Sequence, residues 1–321
     1  MRLARHFLAK TFVTALASLT LAGVAHAQKR TLPAGVQAIA FLGDTLRELP
    51  LAAATRERYE RQLAEARAAY ERTPKNVDSI IWFARRTAYL GRLREAIEIY
   101  GRGVALYPDN PWLYRHRGHR YLSVREIDLA IADLERATRL VAGKPDEVEP
   151  DGQPNAQNTP IGTLHSNIAY HLGLAYYLKG DYAKAADVYR RELRDARNDD
   201  RRVSTAHWLY MSLRRLGKTA EAAEVLKPFN APMNVIENET YYRLMKMYNG
   251  KMSVDSVLPV NASGEMSVTD ATAAYGIANW HLYNGRQADA ERIFKRILAG
   301  GQWGAFGYIA AERDMARMKA R

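Results

Sequence analysis

The feature that most constrains the fold is a spacing of alanines that recurs along most of the chain. Each of five segments places an alanine five residues after a turn and a bulky apolar residue four positions further on. The alanines are Ala96, Ala130, Ala185, Ala222 and Ala290, separated by 34, 55, 37 and 68 residues, and 68 is twice 34. A unit of 34 residues with insertions explains all four spacings, which indicates a stack of repeated structural units.

One of these units can be examined in the stretch 167–189, which reads NIAYHLGLAYYLKGDYAKAADVY. Gly180 falls between two helical patterns, where a glycine accepts the left-handed backbone of a tight turn. Gly173 and Ala185 are small enough for two helix axes to approach closely, and tyrosines fill the gaps beside them. One such helix pair cannot bury its apolar face alone, so neighbouring pairs must stack on it.

This pattern resembles the tetratricopeptide repeat, and the resemblance covers most of 77–304. It implies an all-α fold, a helix-turn-helix repeat solenoid (a superhelix) with capping helices. The predicted divisions are a signal peptide at 1–27, an N-terminal lead-in at 28–54, a partial repeat or cap helix at 55–74, two repeat units at 77–144, a loop insertion at 145–165, two units at 166–236, a degenerate repeat and loop at 237–270, one unit at 271–304 and a C-terminal capping helix at 305–321. The final segments also resemble those of exported bacterial proteins of this repeat class.

The N-terminal segment has the pattern of a cleavable signal peptide. Arg2, Arg5 and Lys10 precede an apolar run over 12–24, and the run ends in Ala25-His26-Ala27. A basic start, a short apolar core and a small-x-small ending predict cleavage after Ala27 and a periplasmic or secreted protein. The alternative is an uncleaved anchor helix. No later apolar run reaches membrane-spanning length, so we expect no stable membrane insertion after the signal is removed.

Charge and cysteine content narrow the classes of partner. The formal net charge is +12, of which three basic residues lie in the leader, so the mature chain keeps about +9. This excess favours acidic partners, and export argues against nucleic acid. The chain has no cysteine, which excludes disulfides and thiolate metal sites.

In the resembled family the first helix of each pair lines a concave groove. Applied to this chain, the resemblance implies a partner-binding groove that is rich in rigid aromatic rings and arginines, the residue types that dominate binding energy at interfaces. A peptide or protein that mixes acidic and apolar side chains would suit it. The predicted groove residues are Trp82, Arg85, Tyr89, Arg115, His116, His119, Tyr170, His171, Tyr177, His207, Trp208, Met211, Arg214, Arg215, Tyr275, Asn279 and Tyr283.

These patterns predict a non-catalytic protein-protein interaction scaffold of the cell envelope. The sequence contains no glycine-rich phosphate loop, no Gly-x-Ser-x-Gly and no His-Glu-x-x-His, so we expect no enzyme activity, cofactor or resident metal. Two alternatives remain: a protein that binds a small ligand or divalent metal with the His, Tyr, Trp and Arg groove, and a cell-wall binder that uses its basic surface. The insertion carries Asp146, Glu147, Glu149 and Asp151, which we expect to form a solvated acidic loop and not a calcium site.

Overall fold

Paired antiparallel helices form most of the chain. The computed structural model describes residues 32–49, 51–258 and 266–320. The predicted signal peptide at 1–27 lies outside these residues, and so does part of the loop expected within 237–270. Within the described ranges, none of the helices has the length and apolar content needed to cross a bilayer.

The helices follow one another in regular order. The first helices of the five pairs are α2 (Val77–Tyr89), α4 (Pro111–Ser123), α6 (Leu164–Lys179), α8 (Asp199–Arg215) and α12 (Val268–Tyr283). Their second helices are α3 (Leu93–Leu106), α5 (Ile127–Val141), α7 (Tyr182–Asp195), α9 (Thr219–Leu226) and α13 (Gln287–Leu298). The remaining helical segments are α1 (Ala53–Arg72), a 3₁₀ turn (Lys227–Asn230), α10 (Glu239–Tyr248), α11 (Val254–Val257) and α14 (Phe306–Lys319).

The five alanines of the repeat occupy equivalent settings. Each lies in the first turn of a second helix, where its side chain is 0% exposed. The bulky residues four positions later, from Tyr100 to Phe294, are also buried. Consecutive helices pack on one another from α1 to α9, so each pair covers the apolar face of the next. The predicted all-α helical repeat solenoid is therefore confirmed.

The turn inside each pair has a left-handed residue. Gly91, Gly180, Gly217 and Gly285 have φ between 74° and 97°, whereas the second repeat places Arg125 there with φ 67°. A non-glycine residue in this region carries about 1 kcal/mol of strain or more. The compensation comes from tertiary contacts of the Arg125 side chain.

Those contacts join the turn of the second repeat to the C-terminal helix. Arg125 Nη2 donates to Oε2 of Glu312 at 2.7 Å and to the carbonyl oxygen of Trp303 at 2.9 Å. Glu312 also accepts the backbone N–H of Phe41. One buried carboxylate therefore links α14, a repeat turn and the N-terminal segment.

The N-terminal lead-in forms a hairpin that the helical pattern does not predict. Strands β1 (Val36–Ile39) and β2 (Thr45–Arg47) pair antiparallel. Arg94 at the start of α3 donates its Nε–H to the carbonyl oxygen of Gln37 at 2.7 Å. The hairpin thus packs on the first full repeat.

The C-terminal helix is more than the end cap that we expected. On its apolar side Ile309, Ala310 and Met315 are buried, while Phe306 is half-buried. It packs on α12 and α13, and it also contacts α6, the first helix of the third pair. The helix therefore fills part of the concave side of the superhelix.

We predict that Gly173→Ala destabilises the protein through a steric clash. A Cβ at this position would lie 2.5 Å from the ring of Tyr189, which is itself fully buried. Overpacking of this kind costs about 1–3 kcal/mol of unfolding free energy. Gly101→Ala is the matched control, because its Cβ would meet only the end of Arg117 at 3.8 Å. That helical alanine should stabilise by up to about 1 kcal/mol in urea unfolding, and equal effects of the two variants would contradict the packing.

We also predict that Arg125→Gly is destabilising although it relieves the strained backbone. The variant leaves the Glu312 carboxylate buried without its cation, which costs about 3–5 kcal/mol, against about 1 kcal/mol recovered from the turn. The double variant Arg125→Gly, Glu312→Gln should regain most of the loss in the same denaturation assay. An Arg125→Gly variant as stable as the wild type would contradict a stabilising contact between Arg125 and Glu312.

Candidate functional site

The predicted groove residues separate into three groups. The first group surrounds a cavity of about 380 Å³ on the concave side, and its members are Arg85, Tyr89, Arg115, His116, His119, Tyr170 and His171. We call this space the concave cavity. Its walls come from α2, α3, α4, α6, α8 and α10, from the insertion at 145–165 and from Phe306 at the start of α14.

The second group is buried and unavailable to a partner, so its prediction as a contact surface is wrong. Tyr177, His207, Trp208, Met211, Tyr275 and Asn279 are each at most 1% exposed. The tyrosine hydroxyls of Tyr177 and Tyr275 lie 2.8 Å apart, and Tyr275 donates to Asp314 Oδ2 at 3.0 Å. Asp314 belongs to α14, so the C-terminal helix occupies the part of the groove where a partner was expected.

The third group is engaged in packing at the surface. Trp82 is half-buried, with the guanidinium groups of Arg85 and Arg86 lying 4.5 and 5.0 Å from its ring. Arg214 stacks 4.4 Å from the ring of Tyr283, and Arg215 forms an ion pair with Asp314. None of these four predicted residues lines the concave cavity.

The insertion crosses the concave face and closes one side of the cavity. Arg85 Nη1 donates to the carbonyl oxygen of Pro150 at 2.9 Å, and Arg86 Nη1 donates to that of Gly152 at 2.8 Å. Tyr59 on α1 donates its hydroxyl to Gln153 at 2.9 Å. We call residues 146–153 the strap, because they lie against three helices of other repeats.

Glu149 is the centre of the strap, and the prediction of a solvated acidic residue is wrong at this position, whereas Asp146 and Glu147 are exposed as predicted. Its side chain is only 7% exposed and lies 2.9 Å from Arg115 Nε. The oxygen that Arg115 approaches is Oε2, and the same Oε2 accepts a hydrogen bond from the amide of Asn167 on α6 at 2.8 Å. Glu149 supplies the counter-charge that the buried Arg115 needs. The composition of the loop does not reveal this pairing, because Arg115 lies on a different helix.

Three histidines of the cavity are held in the neutral state. Burial is the main cause that lowers the pKa of His116, His119 and His171 well below 6.5, and neighbouring arginines lower it further. Arg115 lies 3.1 Å from Nδ1 of His116, and Arg120 lies 2.6 Å from Nδ1 of His119. Arginine can only donate, so both Nδ1 atoms accept and their Nε2 atoms carry the proton.

His171 has the opposite tautomer. Its Nδ1 donates to the carbonyl oxygen of Asn167 at 2.6 Å, and its ring lies 4.3 Å from that of His119, centroid to centroid. The cavity therefore offers neutral hydrogen-bonding groups beside arginine charges. In the described ranges, no group of three or more His, Asp or Glu has an arrangement that could hold a metal ion.

Several cavity residues were not predicted. They include Tyr100, Arg120, Glu149, Asp151, Arg201, Glu237, Tyr241 and Phe306. Arg120 could have been found, since it lies four positions after His116 and therefore on the same helical face. The others come from the second helix α3, the start of α8, the insertion, the degenerate repeat or α14, and only the folded superhelix brings them to α4.

We predict that stability falls when the pH is lowered from 7.5 to 5.5. The three cavity histidines and His207, whose pKa burial lowers to about 3, stay neutral in the folded protein. Below about pH 6.5 the unfolded chain binds protons that the folded protein does not, so each histidine removes up to about 1.4 kcal/mol per pH unit.

Urea unfolding at pH 7.5, 6.5 and 5.5 measures this slope. His207→Gln keeps a neutral polar group and should reduce the slope by about a quarter, whatever its effect on stability at pH 7.5. An unfolding free energy that does not change between pH 7.5 and 5.5 would show that these histidines are not buried as neutral groups.

Comparisons with known proteins concern the repeat. Residues 169–191 match the family model described as a tetratricopeptide repeat, and these residues span most of α6, its turn and much of α7. No curated protein matches the chain in sequence.

Similar solved structures include MamA AMB-1, with 21% identity over 54% of this chain and 88% of the other and a TM-score of 0.40. YrrB, described as a TPR protein with an unusual peptide-binding site, is 16% identical over 74% of this chain and 92% of its own, with a TM-score of 0.41. A tetratricopeptide repeat protein from Parabacteroides merdae ATCC 43184 is 14% identical over 82% of this chain and 100% of its own, with a TM-score of 0.44. The segment 169–191 therefore matches a tetratricopeptide repeat, and it falls on one of five helix pairs with equivalent buried alanines.

Proposed function

We propose that the protein is a non-catalytic interaction scaffold of the cell envelope that binds an acidic, extended segment of a partner polypeptide. The observation that carries this proposal is the strap, because the concave face already binds one such segment from its own chain. The location rests on the leader-like sequence at 1–27, and the absence of catalysis rests on the lack of a recognisable catalytic motif.

The strap is held as a bound peptide would be. Val148 forms an isolated antiparallel bridge with Thr163, and the chain from 145 to 151 is not helical. Backbone carbonyls of Pro150 and Gly152 accept from α2, while the Glu149 side chain pairs with Arg115 on α4. Backbone contacts give affinity to such a segment and a buried ion pair gives specificity for an acidic residue.

The surface that contacts the strap also leaves little space at Gly152. A Cβ placed on Gly152 would lie 1.8 Å from the hydroxyl of Tyr89 and 2.8 Å from Arg85. Any larger residue there must displace one of these side chains. A partner segment is therefore expected to carry a small residue three positions after its acidic one, as Gly152 follows Glu149.

The test uses the strap as a peptide in trans. Residues 146–157 are replaced by a Gly/Ser linker of equal length, and a fluorescent peptide of residues 145–157 is titrated into the folded variant. We expect saturable binding, because the freed arginines of α2 and α4 regain their partners. A peptide with Glu149→Gln should bind about 10-fold more weakly, which corresponds to about 1.4 kcal/mol, since it loses the negative charge that pairs with Arg115.

Two controls make the outcome decisive. A peptide with Gly152→Val tests the space at Gly152 and should also bind weakly, whereas the wild-type protein, with its strap in place, should bind the natural peptide less than the linker variant does. Circular dichroism establishes that the linker variant keeps its helices. If this helical variant binds the natural and the Glu149→Gln peptides equally, the acidic-segment proposal is wrong.

A further inference from the structure

We propose that the concave cavity is a binding site for a small aromatic carboxylate, with the carboxylate on Arg120 and the ring against Phe306. This site goes beyond the interaction surface proposed above, since it lies behind the strap and needs no displacement of it. Four observations lead to it: an unpaired arginine, the distribution of nearby carboxylates, the aromatic wall and the size of the space.

Arg120 is a cation without a counter-charge. Of the four arginines that line the cavity, Arg115 pairs with Glu149 at 2.9 Å and Arg201 pairs with Glu192 at 3.1 Å. Among the described residues, no carboxylate lies within ion-pairing distance of Arg120, which donates a hydrogen bond to Nδ1 of His119. Burial lowers the pKa of Arg120 to about 10. An enclosed charge without a partner is costly, and an anionic ligand removes that cost on binding.

The carboxylates that line the cavity are not paired with Arg120. Glu149 pairs with Arg115 at 2.9 Å, and Glu237 accepts a hydrogen bond from Asn155. Burial raises the pKa of the third carboxyl group, that of Asp151, and the charge of Arg85 lowers it. An anion can therefore bind Arg120 without breaking an existing ion pair.

Flat rings form the wall beside Arg120. Phe306 lies 5.4 Å from the ring of His119 and 5.6 Å from that of His171, centroid to centroid, and 6.2 Å from Tyr170. Both histidines are neutral, so this wall binds apolar surface and adds hydrogen-bonding nitrogens at its edges. An aromatic ring stacks on such a wall better than an aliphatic chain does.

The volume matches a small molecule. The space of about 380 Å³ falls in the range of ligand pockets, with aromatic walls and a few polar groups that fix orientation. Glu149 and Gly152 form part of its wall, so this volume is the space that remains with the strap in place. The occupant is therefore a small molecule and not the partner segment.

The experiment measures thermal stabilisation of the full-length protein, with its strap intact, at constant ionic strength. The probes are sodium benzoate and sodium 4-hydroxycinnamate, with benzamide as the uncharged counterpart of benzoate and acetate as the carboxylate without a ring. At concentrations near 100 times the dissociation constant, we expect at least one aromatic carboxylate to raise the Tm by roughly 5 °C. Benzamide and acetate should have little effect, because benzamide lacks the carboxylate and acetate lacks the aromatic ring.

Arg120→Met is the decisive variant, and it separates a ligand site from a structural role. Because Arg120 has no acid to lose, the ligand-free variant should melt at the wild-type temperature or above it. It should also bind the protecting carboxylate at least 10-fold more weakly by calorimetry. Arg139→Met is the matched control, since Arg139 lies exposed on α5 outside the cavity and its loss should leave the ligand effect unchanged.

The outcomes decide the proposal in either direction. Protection by an aromatic carboxylate that disappears in Arg120→Met and persists in Arg139→Met supports it. Protection by neither carboxylate, equal protection by benzamide or acetate, or full protection in Arg120→Met overturns it. The strap-peptide experiment uses a different variant and a different probe, so failure of one proposal leaves the other standing.

Discussion

Close contact between helices at the buried alanines is the interaction on which the structure depends. A side chain larger than a methyl group at Ala96 or Ala185 would separate the two helices of a pair, and the next pair could no longer cover both. With no disulfides available, this apolar packing must carry the stability of the fold. Each unit is stable only because its neighbours remove its apolar face from water.

A second, polar constraint links distant parts of the superhelix. A stack of repeats leaves its first and last units with uncovered faces, and here α1 packs on the first full repeat and α14 on the last. The buried Glu312 joins Arg125, the backbone of Phe41 and α14. A buried ion pair is a weak source of net stability, but it sets one register, because any other placement leaves a carboxylate or a guanidinium unpaired in a dry environment.

The concave cavity is what remains when the groove has been filled from two directions. The C-terminal helix covers Tyr177, Trp208 and Tyr275, and the strap covers α2 and α4. Between them lies a space that is lined by arginines and neutral histidines. Its chemistry differs from that of an open groove, since low solvent access strengthens every electrostatic interaction inside it.

The alanine spacing, the turn glycines and the apolar periodicity were enough to predict the helix pairs, because these depend on contacts between residues close in sequence. First-helix residues such as Arg115 and His119 were likewise assigned to the concave side, since the repeat geometry sets which face points inward. Only the tertiary structure determines which residues of the concave side are covered, which are paired and which line a cavity. Whether Trp208 is covered, whether Glu149 meets Arg115 and whether Arg120 lacks an acid all depend on distant segments folding back, and local periodicity contains no information about where an insertion or a terminal helix comes to lie.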